Sequence, residues 1–215
     1  MPWGFFLLGG NVGLGVHQLA AQLAQRYALA PKFDSRHRAL LLVALGAITF
    51  AGLEFRFGIQ TQTLLLALHT VILLIVLIID LEHWLILNAV SVPAIIFAIV
   101  ASPISAIGVA SSIAGGAAAL AIALTMYGLG QVHARVRQVN AITFGQGDIK
   151  LAAYIGLVVG FPAAVFAMIL TVFLSGIGAL IYLACQLAVR RRLALEDVIP
   201  YAPYFCIAAW LTMLF

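Results

Sequence analysis

From Thr63 to Ile79 the chain carries no acidic side chain, lysine or arginine, and similar uncharged runs recur along most of its length. A helix rises about 1.5 Å per residue and crosses hydrocarbon in roughly 20 residues. Runs of this kind therefore constrain the fold more than any other feature of the sequence. Of the 215 residues, 65% are hydrophobic and 8% charged, against about 45–50% and about 25% in soluble domains. There is too little polar surface to cover a water-soluble globule, and too little charge for a disordered chain. The runs are continuous rather than alternating, which argues against an outer-membrane barrel. The sequence predicts an all-α fold, a polytopic transmembrane helical bundle of about eight spans. No polar stretch is long enough for a second domain, so residues 1–215 read as a single integral membrane domain.

The expected spans are Trp3–Leu23, Ala39–Leu53, Thr63–Ile79, Ala89–Ser105, Ile107–Leu129, Ile149–Val159, Ala163–Ala188 and Tyr201–Phe215. Gly160-Phe161-Pro162 is a turn signal between the sixth and seventh. A cleavable signal peptide starts basic, whereas the first basic residue here is Arg26, so the opening run is expected to remain as a helix. If the spans alternate, ten of the eleven Lys and Arg residues fall on one side: Arg26, Lys32, Arg36, Arg38, Arg135, Arg137, Lys150, Arg190, Arg191 and Arg192. Only Arg56 falls on the other. Basic short loops mark the cytoplasmic face, which predicts an outside N-terminus. Once topology has used these charges, no basic stripe remains for nucleic acid. Cys185 and Cys206 are the two cysteines and form no CxxC pair, so a zinc site or disulfide framework has no sequence support.

Seven acidic residues are present. Asp34, Glu196 and Asp197 sit in basic loops and read as solvated surface. Glu54 is expected to pair with Arg56 in an outer loop. Asp80 closes the third span, and Asp148 opens the sixth 68 residues later, so alternation sets both at one membrane boundary. An ionisable group flanked by apolar residues is costly there without a partner or a task. Interfacial hydration is the ordinary alternative, and Asp148 also suits the positive end of a helix dipole. Gly145 and Gly147 precede Asp148, and glycine admits unusual backbone conformations and close approach of another chain. Gly-x-Gly-Asp at a span mouth, with a second aspartate at the same depth, is a stronger signal than either alone.

Three blocks resemble the type IV prepilin peptidases, a branch of the Gly-x-Gly-Asp membrane aspartyl proteases. They are Ile79-Asp80-Leu81-Glu82-His83-Trp84-Leu85-Ile86-Leu87-Asn88 with Pro93, Gly145-Gln146-Gly147-Asp148-Ile149-Lys150-Leu151, and Ile199-Pro200-Tyr201-Ala202-Pro203-Tyr204. The similar region runs over 56–215. Residues 1–55 form divergent N-terminal spans, reading Gly9-Gly10-Asn11-Val12-Gly13-Leu14-Gly15 and lacking the cysteine-bearing loop of many bacterial members. The resemblance implies that Asp80 and Asp148 are catalytic, supported by Gly145, Gly147 and Lys150. It implies prepilin or pseudopilin substrates, each with a short basic leader ending in Gly ahead of an apolar helix, and a place in a prokaryotic inner membrane. It implies no cofactor and no metal for peptide cleavage. S-adenosylmethionine enters only for the N-methylation that the family associates with its N-terminal region, where this chain departs from the pattern.

Peptide hydrolysis by two carboxyl groups needs one ionised, to take a proton from water, and one protonated, to polarise the scissile carbonyl. Two like charges about 4 Å apart repel by roughly 4 kcal/mol at an effective dielectric near ~20, so such a pair shares one proton. Glu82 is a candidate contact for leader Lys or Arg, with an ordinary interfacial acid as the other reading. Lys150 is expected to hold Asp148 or the oxyanion, or else to snorkel. His83 reads as interfacial; His69 reads as hydrogen-bonded to a neighbouring helix, with a polar contact near the site as the alternative, and His17 is open between the same two. Trp84, Tyr154 and Tyr204 suit an interfacial belt, and Pro93 and Gly115-Gly116 suit kinked or closely packed helices. Two other functions fit the same carboxylates. One is a proton-coupled carrier, for which the Gly-x-Gly-Asp turn is unnecessary. The other is an inactive pilus or secretion assembly scaffold, for which intact aspartates are unnecessary.

Overall fold

In the computed structural model, which describes residues 3–137, 144–190 and 200–214, the regular elements are all helical. They are α1 (Trp3–Arg26), α2 (Ser35–Phe57), α3 (Thr61–His83), α4 (Asn88–Ala101) with a 3-10 turn over Ser102–Ile104, α5 (Gly108–Arg137), α6 (Gln146–Val159), α7 (Ala163–Arg190) and α8 (Ala202–Leu214). Each expected span has its helix. Four of them, α2, α3, α5 and α7, are long and apolar enough to cross a membrane alone. At 13 or 14 residues, α4, α6 and α8 reach only about 20 Å, short of a hydrocarbon core of about 30 Å. The bundle is an integral membrane fold that combines full-length spans with shorter helices.

α3 is its axis. Of its best apolar window 72% is buried, against 22–28% for α2, α5 and α7, and every residue from Leu73 to Asp80 is buried. It packs against α1, α2, α4 and α8, while α6 packs against α4, α5, α7 and α8. Two pairs, α1 with α2 and α5 with α6, approach until their backbones touch. A Cβ on Gly9 would meet Gly46 O, and one on Gly115 would meet Gly156 O. Without a hydrophobic drive between helices in lipid, small residues that admit such approach hold the pairs together. The expected packing role of Gly115-Gly116 is met. The predicted turn after α6 is present: Phe161 N–H donates to Ser111 O and Ser111 Oγ donates to Phe161 O, both at 2.9 Å.

The charges whose contacts the structure gives fall at the ends that alternation expects. Arg38 at the start of α2 bonds Glu82 at the end of α3, and Ala202 N–H at the start of α8 bonds Asp80. At the opposite end, Arg56 Nε donates to Leu214 O at 3.0 Å. Arg191, Arg192, Glu196, Asp197 and Ile199 lie outside the described residues. The expected Glu54–Arg56 pair is not formed. α2 continues to Phe57, so Glu54 lies in its last turn, and Arg56 instead spends its guanidinium on Leu214 O and the Phe57 ring, 5.4 Å away.

Candidate active site

Two helix ends and one connecting strand of chain build the site. α3 ends because Trp84 takes a left-handed conformation at φ +56°, with its N–H donating to Asp80 O at 2.8 Å. That conformation is uncommon for a bulky residue. It turns the chain so that Leu85–Leu87 cross towards the mouth of α6. There Gly147 meets Ile86 so closely that a Cβ on Gly147 would lie 2.8 Å from Ile86 Cβ. Gly145 has φ −90°, open to any residue, so of the two reasons for these glycines close approach is the one realised.

Asp148 is the third residue of α6, and its Oδ2 accepts from Gly145 N–H at 2.9 Å. An acidic side chain returning to the backbone donor just before a helix satisfies an otherwise orphaned N–H and sits at the favourable end of the dipole. Asp80 accepts through Oδ2 from Ala202 N–H at 3.2 Å. Both aspartates are buried, at 5% and 9% exposure. Each has one oxygen held by backbone, leaving Oδ1 without a hydrogen-bond partner among the described residues. Both line one cavity of about 310 Å³, together with Trp84, Leu85, Ile86, Asn88, Gly145, Gln146, Gly147 and Lys150. The two acids that lie 68 residues apart in sequence thus share one chamber at one end of the bundle.

The remaining residues fall out differently. Lys150 lines the cavity but donates to Asn88 Oδ1, joining α6 to the start of α4 rather than holding Asp148. Glu82 does not line the cavity. It is 1% exposed and its carboxylate is engaged by Arg38, so it is not presented to a basic leader. Its helical phase explains this, since residues two apart lie about 200° apart around a helix: with Asp80 facing the cavity, Glu82 faces α2. The His83 side chain, at the end of α3, is likewise buried, 3.6 Å from Glu82. Tyr154 is not in a belt but fully buried, its hydroxyl 2.8 Å from His69 Nδ1, which meets the expectation for His69. Trp84 is half exposed, as a belt residue should be.

Sequence reasoning missed Ala202, Asn88 and Ile86 as site-forming residues. The signal for Ala202 was available, since the Tyr201-Ala202-Pro203 block carries it. Tyr201 of the same block stacks edge-on against Phe144 at 5.8 Å. Among the described residues no three His, Cys, Asp or Glu side chains gather as a metal site.

Residues 66–184 match the model of the type IV leader peptidase family. No curated protein and no solved structure matches the chain.

Proposed function

The chain belongs to the type IV leader peptidase family, and from that premise we propose that Asp80 and Asp148 are the catalytic pair of an aspartic endopeptidase that removes basic leaders from prepilin-like proteins. The observation that carries this reading is the shared cavity: two buried carboxyl groups from helix ends distant in sequence, each with one oxygen held by a backbone N–H and the other unengaged among the described residues.

In the reaction, one carboxylate accepts a proton from a water molecule while the other, protonated, donates a hydrogen bond to the scissile carbonyl oxygen. The water oxygen bonds the carbonyl carbon. Collapse of the tetrahedral intermediate breaks the C–N bond, and a carboxyl proton passes to the leaving amine. The backbone donors at Gly145 and Ala202 fix where each carboxyl stands, so little reorganisation accompanies the proton transfers.

The substrate's shape suits a chamber at a bundle end. Its apolar helix would lie in the bilayer against the bundle, its leader would remain in water, and the bond between them would meet the aspartates. The clustering of basic residues at the same end supports a cytoplasmic active-site face and an outside N-terminus in an inner membrane. The test is cleavage in proteoliposomes of a probe with a Lys- and Arg-bearing leader ending in Gly, followed by an apolar helix. Mass spectrometry of the product should find the new N-terminus directly after that Gly. Full cleavage by inserted Asp80→Asn or Asp148→Asn protein would overturn the assignment.

A further inference from the structure

Two cations of the α1–α2 hairpin reach the stretch of chain that presents Asp80. Arg38, in the first turn of α2, places Nη1 3.2 and 3.4 Å from the two oxygens of Glu82, and its Nε donates to His17 Nδ1 on α1 at 3.1 Å. Lys32, in the loop before α2, sets Nζ 5.8 Å over the Trp84 ring. His83 adds a ring nitrogen 3.6 Å from Glu82. Arg38 and Glu82 are both almost wholly buried, and the hairpin lies outside the residues that match the family.

The charges are arranged against helix stability. Arg38 stands at the positive end of the α2 dipole and Glu82 at the negative end of the α3 dipole, where each is disfavoured on its own helix. A buried ion pair seldom adds stability over apolar packing, and its best-attested use is to fix register. The geometry says what is fixed here. Glu82 and Asp80 lie on opposite sides of α3, so a hold on Glu82 from α2 sets the rotation of α3 and thereby aims Asp80 into the cavity. Ala202 N–H meets Asp80 from the other side. Lys32 over Trp84 steadies the left-handed residue that ends the helix, a conformation unfavourable for any residue with a Cβ. The hairpin is itself stiff, because α1 and α2 touch backbone to backbone at Gly9 and Gly46.

We infer that the α1–α2 hairpin clamps the end of α3, with Arg38 as a positioning residue that orients Asp80 through Glu82. The inference rests on the reading of Asp80 as half of the catalytic pair. Single loss of either charge leaves its partner buried and unpaired, so the informative variant removes both: Arg38→Met with Glu82→Gln. It should unfold at the same temperature as the parent protein, yet cleave the leader probe with kcat lowered at least tenfold and KM within twofold. Arg38→Lys, which keeps the charge at Glu82, should recover kcat to within about threefold of the parent. A double variant with unchanged kcat, or one that changes only KM, overturns the inference. Hydrogen exchange supplies a reading independent of cleavage. Amides of residues 80–84 should exchange at least tenfold faster in the double variant while those of residues 73–78 hold, and unchanged exchange at 80–84 also overturns it. A parent protein that cleaves no leader probe would instead count against the peptidase reading, leaving the exchange result to judge the clamp.

Discussion

Adding a single methyl group at Gly147 should damage the site more than the fold. A Cβ there would stand 2.8 Å from Ile86 Cβ and 3.4 Å from its Cγ1 and Cδ1. Carbon atoms rest at about 3.5–4.0 Å, so in Gly147→Ala the Leu85–Leu87 segment and the start of α6 must part by about 0.7 Å or more. Ile86 is buried, so it cannot simply swing into solvent. Overpacking of this kind costs about 1–3 kcal/mol, which a bundle of this size should survive. The displacement falls between the two aspartate-bearing helix ends, and a misplacement of about 1 Å can lower a rate about a hundredfold. Gly147→Ala should therefore insert and fold, with a modestly lower unfolding temperature, and cleave a leader substrate ten to a hundred times more slowly, on the order of that estimate. Because the nearest atom is a Cβ, adding Ile86→Val should restore nothing, whereas Ile86→Gly should restore part of the rate. Parental kcat in Gly147→Ala, or rescue by Ile86→Val, would refute the reasoning.

Tyr154→Phe removes the hydroxyl that meets His69 Nδ1 and leaves a buried ring nitrogen unpaired, so denaturant unfolding should register a loss of about 1–3 kcal/mol; a change below ~0.5 kcal/mol would mean the bond contributes little. Gly156→Val should separate α5 from α6, where backbone already touches backbone, and lower stability by about 1–3 kcal/mol or more, read as loss of folded protein in detergent.

The sequence made the helices and their ends legible because charge is so scarce. Most of the apolar runs are closed by a charged residue, a Gly or a Pro, and the bias of Lys and Arg to one end follows from topology. That bias also set Asp80 and Asp148 at a common depth. What the sequence hid was direction around each helix. A helix apolar on all sides has no stripe to mark its inner face, so Tyr154 read as a belt residue when it is fully buried, and Glu54 read as a partner for a cation that bonds elsewhere. Glu82 was decipherable. Its spacing of two from Asp80 already places it on the far side of α3, and Arg38, a cation at the wrong end of its own helix, was the partner to seek. Ala202 could not be found by chemistry, because its contribution is a backbone N–H.

Whether the two aspartates act as one unit is decided by single-turnover cleavage with four proteins: the parent, Asp80→Asn, Asp148→Asn and the double variant, each reconstituted and confirmed folded. Residues that work as a unit are strongly non-additive. Each single variant should be as inactive as the double, about a thousandfold or more below the parent. Losses that multiply, or a single variant that still cleaves at the parental rate, would mean that the shared chamber does not house a shared reaction.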